Sequence, residues 1–99
     1  MGREDNLLIV GAGQYGCVAR ETAESINYYD RISFIDNNSA LAIGKTDEME
    51  AFLDDYANAF VAIGNAQVRL QILSQLRALG YQLVTLIHPR AYVSPSAKI

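Results

Sequence analysis

The sequence contains very few of the residues that build metal sites and catalytic centres. Among its 99 residues there is one cysteine, Cys17, and one histidine, His88. A single cysteine excludes an internal disulfide and is typical of a protein from the reducing cytoplasm. One cysteine and one histidine far apart in the sequence supply neither a set of metal ligands nor a nucleophile–base pair. We therefore expect no metal site and no catalytic residue within this chain.

Long apolar runs and clusters of positive charge are also missing. No run approaches the ~20 apolar residues of a membrane-spanning helix, and the N-terminus lacks the basic-then-apolar pattern of a signal peptide. The 8 Lys and Arg residues are scattered among 11 acidic residues, for a net charge of −3. A nucleic-acid-binding surface would need clustered positive charge. We expect a cytoplasmic protein that binds neither nucleic acid nor membrane.

The composition is that of a globular domain, with 51% apolar and 19% charged residues, and strand-like and helix-like segments alternate along it. The predicted strands are residues 6–10, 31–35, 59–63 and 81–86, and a further short strand is a candidate at residues 42–44. The predicted helices are residues 14–26, a segment capped by Thr46 or Asp47, and a segment between Asn65 and Gly80. This alternation predicts a Rossmann-like α/β fold, with a parallel four-stranded sheet in the order 2-1-3-4 and helices on both faces.

Apolar residues at helical spacing predict which face of each helix packs on the sheet. The predicted inward residues of the first helix are Val18, Thr22 and Ile26, with Ala19 and Ala23 beside them. Those of the second segment are Met49, Phe52, Leu53 and Tyr56, and those of the last helix are Val68, Ile72, Leu76 and Leu79.

The first strand, with its four successive apolar residues, is followed by a glycine-rich turn of the form GxGxxG. Gly11 permits a tight turn, Gly13 leaves room for backbone to approach a phosphate, and Gly16 allows close packing of the helix on the strand. The helix that follows directs its free N–H groups towards a bound anion. The pattern favours a nucleotide site over an ordinary glycine turn.

Two further turns follow predicted strands, at Asp36-Asn37 and at Gly64-Asn65. Because the carboxyl ends of parallel strands meet at one edge of a sheet, all three turns should converge on one crevice where the strand order reverses. The candidate substrate-binding residues are Gly11, Gly13, Gln14, Tyr15, Gly16, Asp36, Asn37, Gly64 and Asn65.

The last residues follow a different period. Ile87, Val93 and Ile99 are spaced by six, and Ala91 and Ala97 each stand four residues after the start of a hexad. Hexads led by an aliphatic residue are typical of a β-helix, which needs about three or more repeats for stability. We expect residues 1–86 to form the Rossmann-like domain and residues 87–99 to begin a truncated β-helix. The chain would then be the N-terminal piece of a longer protein. The alternative is a coincidental proline-containing tail.

Residues 6–99 resemble the bacterial sugar acyltransferases that include sialic acid O-acetyltransferases and UDP-4-amino-sugar N-acetyltransferases of glycan biosynthesis. The resemblance is carried by residues 8–13 (LIVGAG), 34–37 (FIDN), 61–65 (VAIGN) and 85–94 (TLIHPRAYVS). It implies a nucleotide-sugar-binding domain, joined to a left-handed β-helix that binds acetyl-CoA between the subunits of a homotrimer.

The resemblance also implies roles for individual residues. Gly13, Gln14 and Tyr15 would lie by the diphosphate or the sugar of a nucleotide-sugar, expected to be UDP-linked. Asp36 and Asn37 would contact the nucleoside, and Gly64 and Asn65 would line the opposite wall. The histidine that acts as general base would lie beyond Ile99. The chain alone should therefore bind no acetyl-CoA, transfer no acetyl group, and remain a monomer or dimer.

The chain departs from the family in one turn. The family often has Gly-His-Gly where this sequence has Gln14-Tyr15-Gly16, so that a phenol replaces an imidazole near the ligand. Two other functions stay open. Asp36 stands where an NAD-binding domain of an oxidoreductase or redox sensor would have its ribose contact. A non-catalytic interaction module with the same fold would bind no nucleotide.

Overall fold

The central strand of the sheet is β1 (Asn6–Val10), and its apolar residues from Leu7 to Val10 are completely buried. A computed structural model describes residues 3–84 of the chain. In it, β1 pairs in parallel with β2 (Arg31–Ile35) on one side and with β4 (Asn58–Val61) on the other. A strand with neighbours on both edges and helices on both faces has no solvent-facing side, which explains its uniformly apolar sequence.

The sheet has five parallel strands in the order β3-β2-β1-β4-β5, where β3 is Ala42–Gly44 and β5 is Gln82–Leu83. The predicted Rossmann-like α/β fold is confirmed, and so is the relative order of the four main strands. The predicted count of four is wrong, because β3 pairs with the outer edge of β2. It was only a candidate in the sequence because three residues are too few to establish a two-residue periodicity.

Two α-helices connect the strands, α1 (Gln14–Ile26) and α2 (Ala66–Leu79). The first has the predicted bounds, and α2 begins after Asn65 and ends at Gly80, as predicted. In residues 3–84, neither helix is long and apolar enough to cross a membrane. The end of the last predicted strand, the hexads at residues 87–99 and His88 lie outside the described residues.

The segment between β3 and β4 is a 3-10 helix, Thr46–Phe52, and is not the predicted α-helix capped by Thr46 or Asp47. Its N-cap is Lys45, whose N–H donates to Glu48 Oε1 at 2.7 Å. The apolar stripe belongs to the core as predicted, since Met49 and Tyr56 are buried. Met49 and Phe52 are three residues apart, a spacing that both kinds of helix place on one face, so the pattern could not distinguish them.

The predicted inward face of α1 is confirmed at Ala19, Thr22 and Ala23 and is wrong at Val18 and Ile26. Its buried residues are Gly16, Ala19, Thr22 and Ala23. By contrast, Val18 is 54% exposed and Ile26 is 37% exposed. The small residues face the sheet because α1 lies very close to it, and the larger side chains are turned outwards. On α2, Ile72 and Leu76 are buried as predicted, whereas Val68 at its N-terminus is exposed.

The core therefore has two layers, one on each face of the sheet. Ala19 and Ala23 of α1 pack with Leu7, Ile9 and Phe34 on one face. On the other face, α2 and the segment from Met49 to Tyr56 cover the sheet. The buried residues of this second layer are Leu8, Val10, Ile35, Met49, Tyr56, Ala59, Val61, Ile72, Leu76 and Tyr81.

Gly16 is the position where a single added methyl group should be most costly. A Cβ built at Gly16 overlaps the carbonyl oxygen of Gly11, whereas one at Gly13 meets nothing within 4 Å. Gly16→Ala should lower the free energy of unfolding by about 2–3 kcal/mol or more, since it forces backbone apart. Gly13→Ala, in the same turn, should change it by less than about 1 kcal/mol. Urea denaturation followed by circular dichroism measures both. Equal stability of the two variants would contradict the close approach of α1 to β1.

Candidate functional site

The carboxyl ends of β1, β2 and β4 are joined to one another by backbone hydrogen bonds just beyond the strands. The N–H of Gly11 donates to the carbonyl of Ile35 at 2.9 Å, and the N–H of Ala62 donates to that of Val10 at 2.8 Å. The chain adds β2 and β3 on one side of β1, and β4 and β5 on the other. The strand order therefore reverses between β1 and β4, and ligands of open α/β sheets bind at such a point.

The first glycine of the turn is required by its conformation and by its neighbours. Gly11 has φ of 108°, and a Cβ there would lie 2.7 Å from the carbonyl oxygen of Ala62. Only glycine accepts this backbone angle without strain. The turn after β1 consequently lies against the segment that precedes Gly64, and the convergence predicted for these two turns is observed.

The N-terminus of α1 is open to solvent and has no internal cap. Its N-cap residue, Gly13, is exposed, makes no side-chain hydrogen bond and is followed by no acidic residue in the first turn. Within residues 3–84, no side chain caps the first N–H groups of α1. In α2, by contrast, the side-chain oxygen of Asn65 accepts from the N–H of Val68 at 3.0 Å. The N-terminus of α1 therefore offers an anion free N–H donors and the positive end of the helix dipole.

Asp36 connects the glycine turn with the end of β2. One carboxylate oxygen accepts from the N–H of Ala12 at 2.8 Å, and the other accepts from the N–H of Asn38 at 2.8 Å. These two backbone hydrogen bonds hold the pKa of the Asp36 carboxyl below its usual value. The carboxylate is thus part of the framework of the site, and each oxygen retains a lone pair for a ligand hydroxyl.

Beyond Asp36, a cavity of about 270 Å³ opens at the carboxyl ends of β2 and β3. It is lined by Asp36, Asn37, Ser39, Ala42, Ile43, Gly44, Lys45 and Glu48. Its volume is just below the ~300–1,000 Å³ of pockets that hold a whole small-molecule ligand. The cavity is therefore suited to one part of a longer ligand that also reaches the glycine turn.

Tyr15 lies at the beginning of α1 and remains 49% exposed. Its ring meets that of Phe60 on β4 edge to face, with 6.1 Å between the ring centroids. Gln14, Gly64 and Asn65 are also exposed at the same edge of the sheet, and a Cβ at Gly64 would meet nothing within 4 Å. The crevice between β1 and β4 is thus open, with a phenol ring beside it.

The structure brings most of the predicted site residues together and adds several that the sequence did not single out. Among the lining residues of the cavity, the prediction contained only Asp36 and Asn37. The short strand β3 returns the chain to the edge at which β2 ends, and so brings Lys45 and Thr46 to that edge. The candidate strand at residues 42–44 was the signal that could have found them.

A parallel sheet that reverses its strand order beside a glycine-rich turn and an uncapped helix N-terminus is the framework of a doubly wound ligand-binding domain. The chain belongs to the PglD N-terminal domain family, whose model matches residues 6–76.

The fold is shared with solved bacterial acetyltransferases. One is the acetyltransferase domain of PglB from Neisseria gonorrhoeae FA1090 in complex with acetyl coenzyme A, at 35% identity and a TM-score of 0.83, covering 94% of this chain and 48% of that one. Another is PerB from Caulobacter crescentus in complex with CoA and GDP-perosamine, at 27% identity and a TM-score of 0.80, covering 92% and 46%. The chain spans about half the length of these structures.

The bonds of Asp36 make the stability of the turn depend on pH. Because its pKa is lower in the folded protein than in the unfolded chain, the stabilisation is present at neutral pH and is lost as pH falls through the folded pKa. Asp36→Asn should cost about 1–2 kcal/mol at neutral pH, since the amide nitrogen cannot accept from a backbone N–H. Urea denaturation at about pH 7, 5 and 3 should show this difference shrinking at the lowest pH.

The matched control is Asp54→Asn, at an exposed carboxylate. It should change the stability less at neutral pH than Asp36→Asn does. A loss at Asp36 that stays constant down to about pH 3 would contradict the role given to its charge.

Proposed function

We propose that this domain binds the nucleotide-sugar acceptor of an acetyl-CoA-dependent sugar acetyltransferase of bacterial glycan biosynthesis. One observation carries the proposal: the uncapped N-terminus of α1 and the open space at Gly13 lie where three strand ends are bonded together. Family membership and the ligands bound by PglB and PerB, acetyl coenzyme A in one and CoA with GDP-perosamine in the other, support the same function.

The diphosphate is assigned to the beginning of α1. Unpaired N–H groups from Gln14 onwards would donate to phosphate oxygens, and the missing side chain of Gly13 lets the phosphate approach the backbone. The first turn of α1 contains no carboxylate that would repel the anion. Tyr15 offers a phenol to the diphosphate or the sugar, where an imidazole is common in the family.

The nucleoside is assigned to the end of β2. Asp36 retains lone pairs for ribose hydroxyls, and Asn37 lines the cavity beyond it. Gly64 and Asn65 would line the opposite wall of the crevice. We propose a UDP-linked sugar as the ligand.

Acetyl transfer itself is assigned to a β-helix domain. In that reaction an amino or hydroxyl group of the sugar attacks the thioester carbonyl of acetyl-CoA, and CoA leaves as its thiol. A general base must accept the proton of the attacking group. We propose that the whole protein forms a homotrimer that supplies this base and the acetyl-CoA site, with this domain holding the acceptor. Whether nitrogen or oxygen is acetylated depends on the sugar.

The 99-residue chain should bind nucleotide-sugars without the rest of the enzyme. Isothermal titration calorimetry with UDP, UDP-sugars, GDP-sugars, CMP, NAD and acetyl-CoA tests this expectation. We expect heat of binding with a nucleoside diphosphate or its sugar, and none with acetyl-CoA. A preference for NAD over every nucleotide-sugar would instead favour an oxidoreductase domain, and no binding of any compound would favour an interaction module.

Gly13→Val should abolish this binding while leaving the fold intact. Gly13 has φ of −79° and ψ of −161°, which any residue can adopt, and a Cβ there meets no protein atom within 4 Å. The added isopropyl group would occupy the space through which the phosphate reaches the backbone. Calorimetry should show at least a ~10-fold loss of affinity, corresponding to about 1.4 kcal/mol.

Ser74→Val, on the exposed surface of α2, introduces the same side chain away from the site and should leave the affinity unchanged. Circular dichroism establishes that both variants are folded. Unchanged affinity in folded Gly13→Val would exclude the proposed diphosphate position.

A further inference from the structure

The side chain of Asn37 is held in one orientation by Thr46. Asn37 Oδ1 accepts from the backbone N–H of Thr46 at 3.1 Å and from its hydroxyl at 3.1 Å. A backbone N–H can only donate, so the atom of the Asn37 amide that faces it must be the oxygen. Two donors also fill both lone pairs of that oxygen. The amide therefore has only its NH₂ group to offer a ligand.

Thr46 is itself held in place from both sides. Just before it, the carbonyl of Gly44 accepts from the N–H of Asp36 at 3.0 Å, which ties β3 to the end of β2. The capping bond from the N–H of Lys45 to the side chain of Glu48 spans Thr46 and closes the first turn of the 3-10 helix. Asn37 is thus held by a segment that is bonded to the same strand end, and its amide cannot rotate without breaking both bonds to Thr46.

The remaining polar groups of the cavity determine what Asn37 can recognise. Within residues 3–84, Asn37 Nδ2 has no hydrogen-bond partner, and Ser39 uses its oxygen to accept from the N–H of Leu41, which leaves its hydroxyl hydrogen for a ligand. Glu48 commits one carboxylate oxygen to Lys45 and retains the other as an acceptor. The cavity thus offers the fixed amide donor of Asn37 and the hydroxyl hydrogen of Ser39, together with carboxylate acceptors on Asp36 and Glu48.

Nucleobases divide into two classes by the edge that they present. Uracil and guanine present a carbonyl oxygen next to an N–H, whereas cytosine and adenine present an NH₂ group next to an unprotonated nitrogen. A freely rotating asparagine suits adenine, to which it donates and from which it accepts. At the edge of the base that carries this carbonyl or amino group, the fixed donor of Asn37 instead matches the carbonyl of uracil or guanine and opposes the NH₂ group of cytosine or adenine.

We propose that Asn37, oriented by Thr46, makes this domain select nucleotides with a keto base, uracil or guanine, over those with an amino base, cytosine or adenine. The proposal rests on the assignment of this cavity to the nucleoside of a nucleotide-sugar. It disfavours cytidine- and adenosine-linked ligands, including NAD, by leaving their amino group opposite a donor, which is how a polar site discriminates against a wrong ligand.

Two pairs of ligands test the selection, because each pair has the same ring size and the same diphosphate. Titration calorimetry of the full chain compares UDP with CDP, and GDP with ADP. In at least one pair the keto member should bind ~10-fold more tightly or better, as expected when one hydrogen bond is replaced by two opposed donors. Equal affinity within both pairs overturns the proposal but leaves nucleotide binding intact. Failure of all four nucleotides to bind overturns both this proposal and the assignment of the domain to nucleotide-sugars.

Asn37→Asp tests the donor directly. The carboxylate keeps the shape of the side chain and can still accept from Thr46, but it presents an oxygen to the ligand in place of NH₂. The keto-to-amino affinity ratio should fall ~10-fold or more. Asn38→Asp adds the same charge one residue away, at an exposed side chain. It should weaken all four diphosphates equally and leave the ratio unchanged. A ratio that Asn37→Asp leaves unchanged would overturn the proposal.

Thr46 is a positioning residue, because it orients the amide of Asn37. Its test uses the same ratio of keto-base to amino-base affinity. Thr46→Val removes the hydroxyl bond and should reduce the keto-to-amino ratio by less than Asn37→Asp does, because the backbone N–H still orients the amide. Thr46→Ser keeps the hydroxyl and should restore the ratio of the original chain. A purely structural role of Thr46 would lower stability in both variants without changing base preference, and that result would overturn the assigned orientation.

Discussion

The close approach of α1 to the end of β1 is the constraint on which the rest of the domain depends. Gly16 packs against the carbonyl of Gly11, so no side chain fits between helix and strand at this point. The helix lies low on the sheet as a result, and its inward positions further along can hold only small residues such as Ala19 and Ala23. The same contact places the N-terminus of α1 at the strand ends, where its unpaired N–H groups face the crevice.

This constraint also explains where sequence reasoning succeeded and where it failed. The bounds of α1 and the sheet order followed from local signals, namely glycine positions, the cap at Asn65 and the alternation of strands with helices. The inward face of α1 followed only in part. Ala19, Thr22 and Ala23 are buried as predicted, but Val18 and Ile26 are exposed, because the distance between helix and sheet, a tertiary property, leaves room only for small side chains. The strand β3 was too short to carry a periodic pattern, and the 3-10 helix shared its three-residue spacing with an α-helix.

The site was predictable to a similar extent. The sequence located three turns because each follows an apolar strand, and the structure brings them together. It could not indicate that the carboxylate of Asp36 is bound by the backbone of Ala12 and Asn38, since backbone donors leave no trace in residue identity. It also could not indicate that Thr46 orients the amide of Asn37, because that contact depends on the return of the chain through β3.

The arrangement separates affinity from specificity along one ligand. In the proposed function, the beginning of α1 attracts negative charge through backbone groups, which would recognise a diphosphate without regard to the rest of the molecule. The cavity at Asn37 carries fixed side-chain groups, which distinguish one hydrogen-bonding edge from another. Asp36 lies between them, and because backbone donors stabilise its charged form, it stays ionised at neutral pH and keeps the turn joined to the end of β2. The spacing between the two parts is therefore set by the framework before any ligand binds, and a nucleotide bound as proposed would have to match both at once.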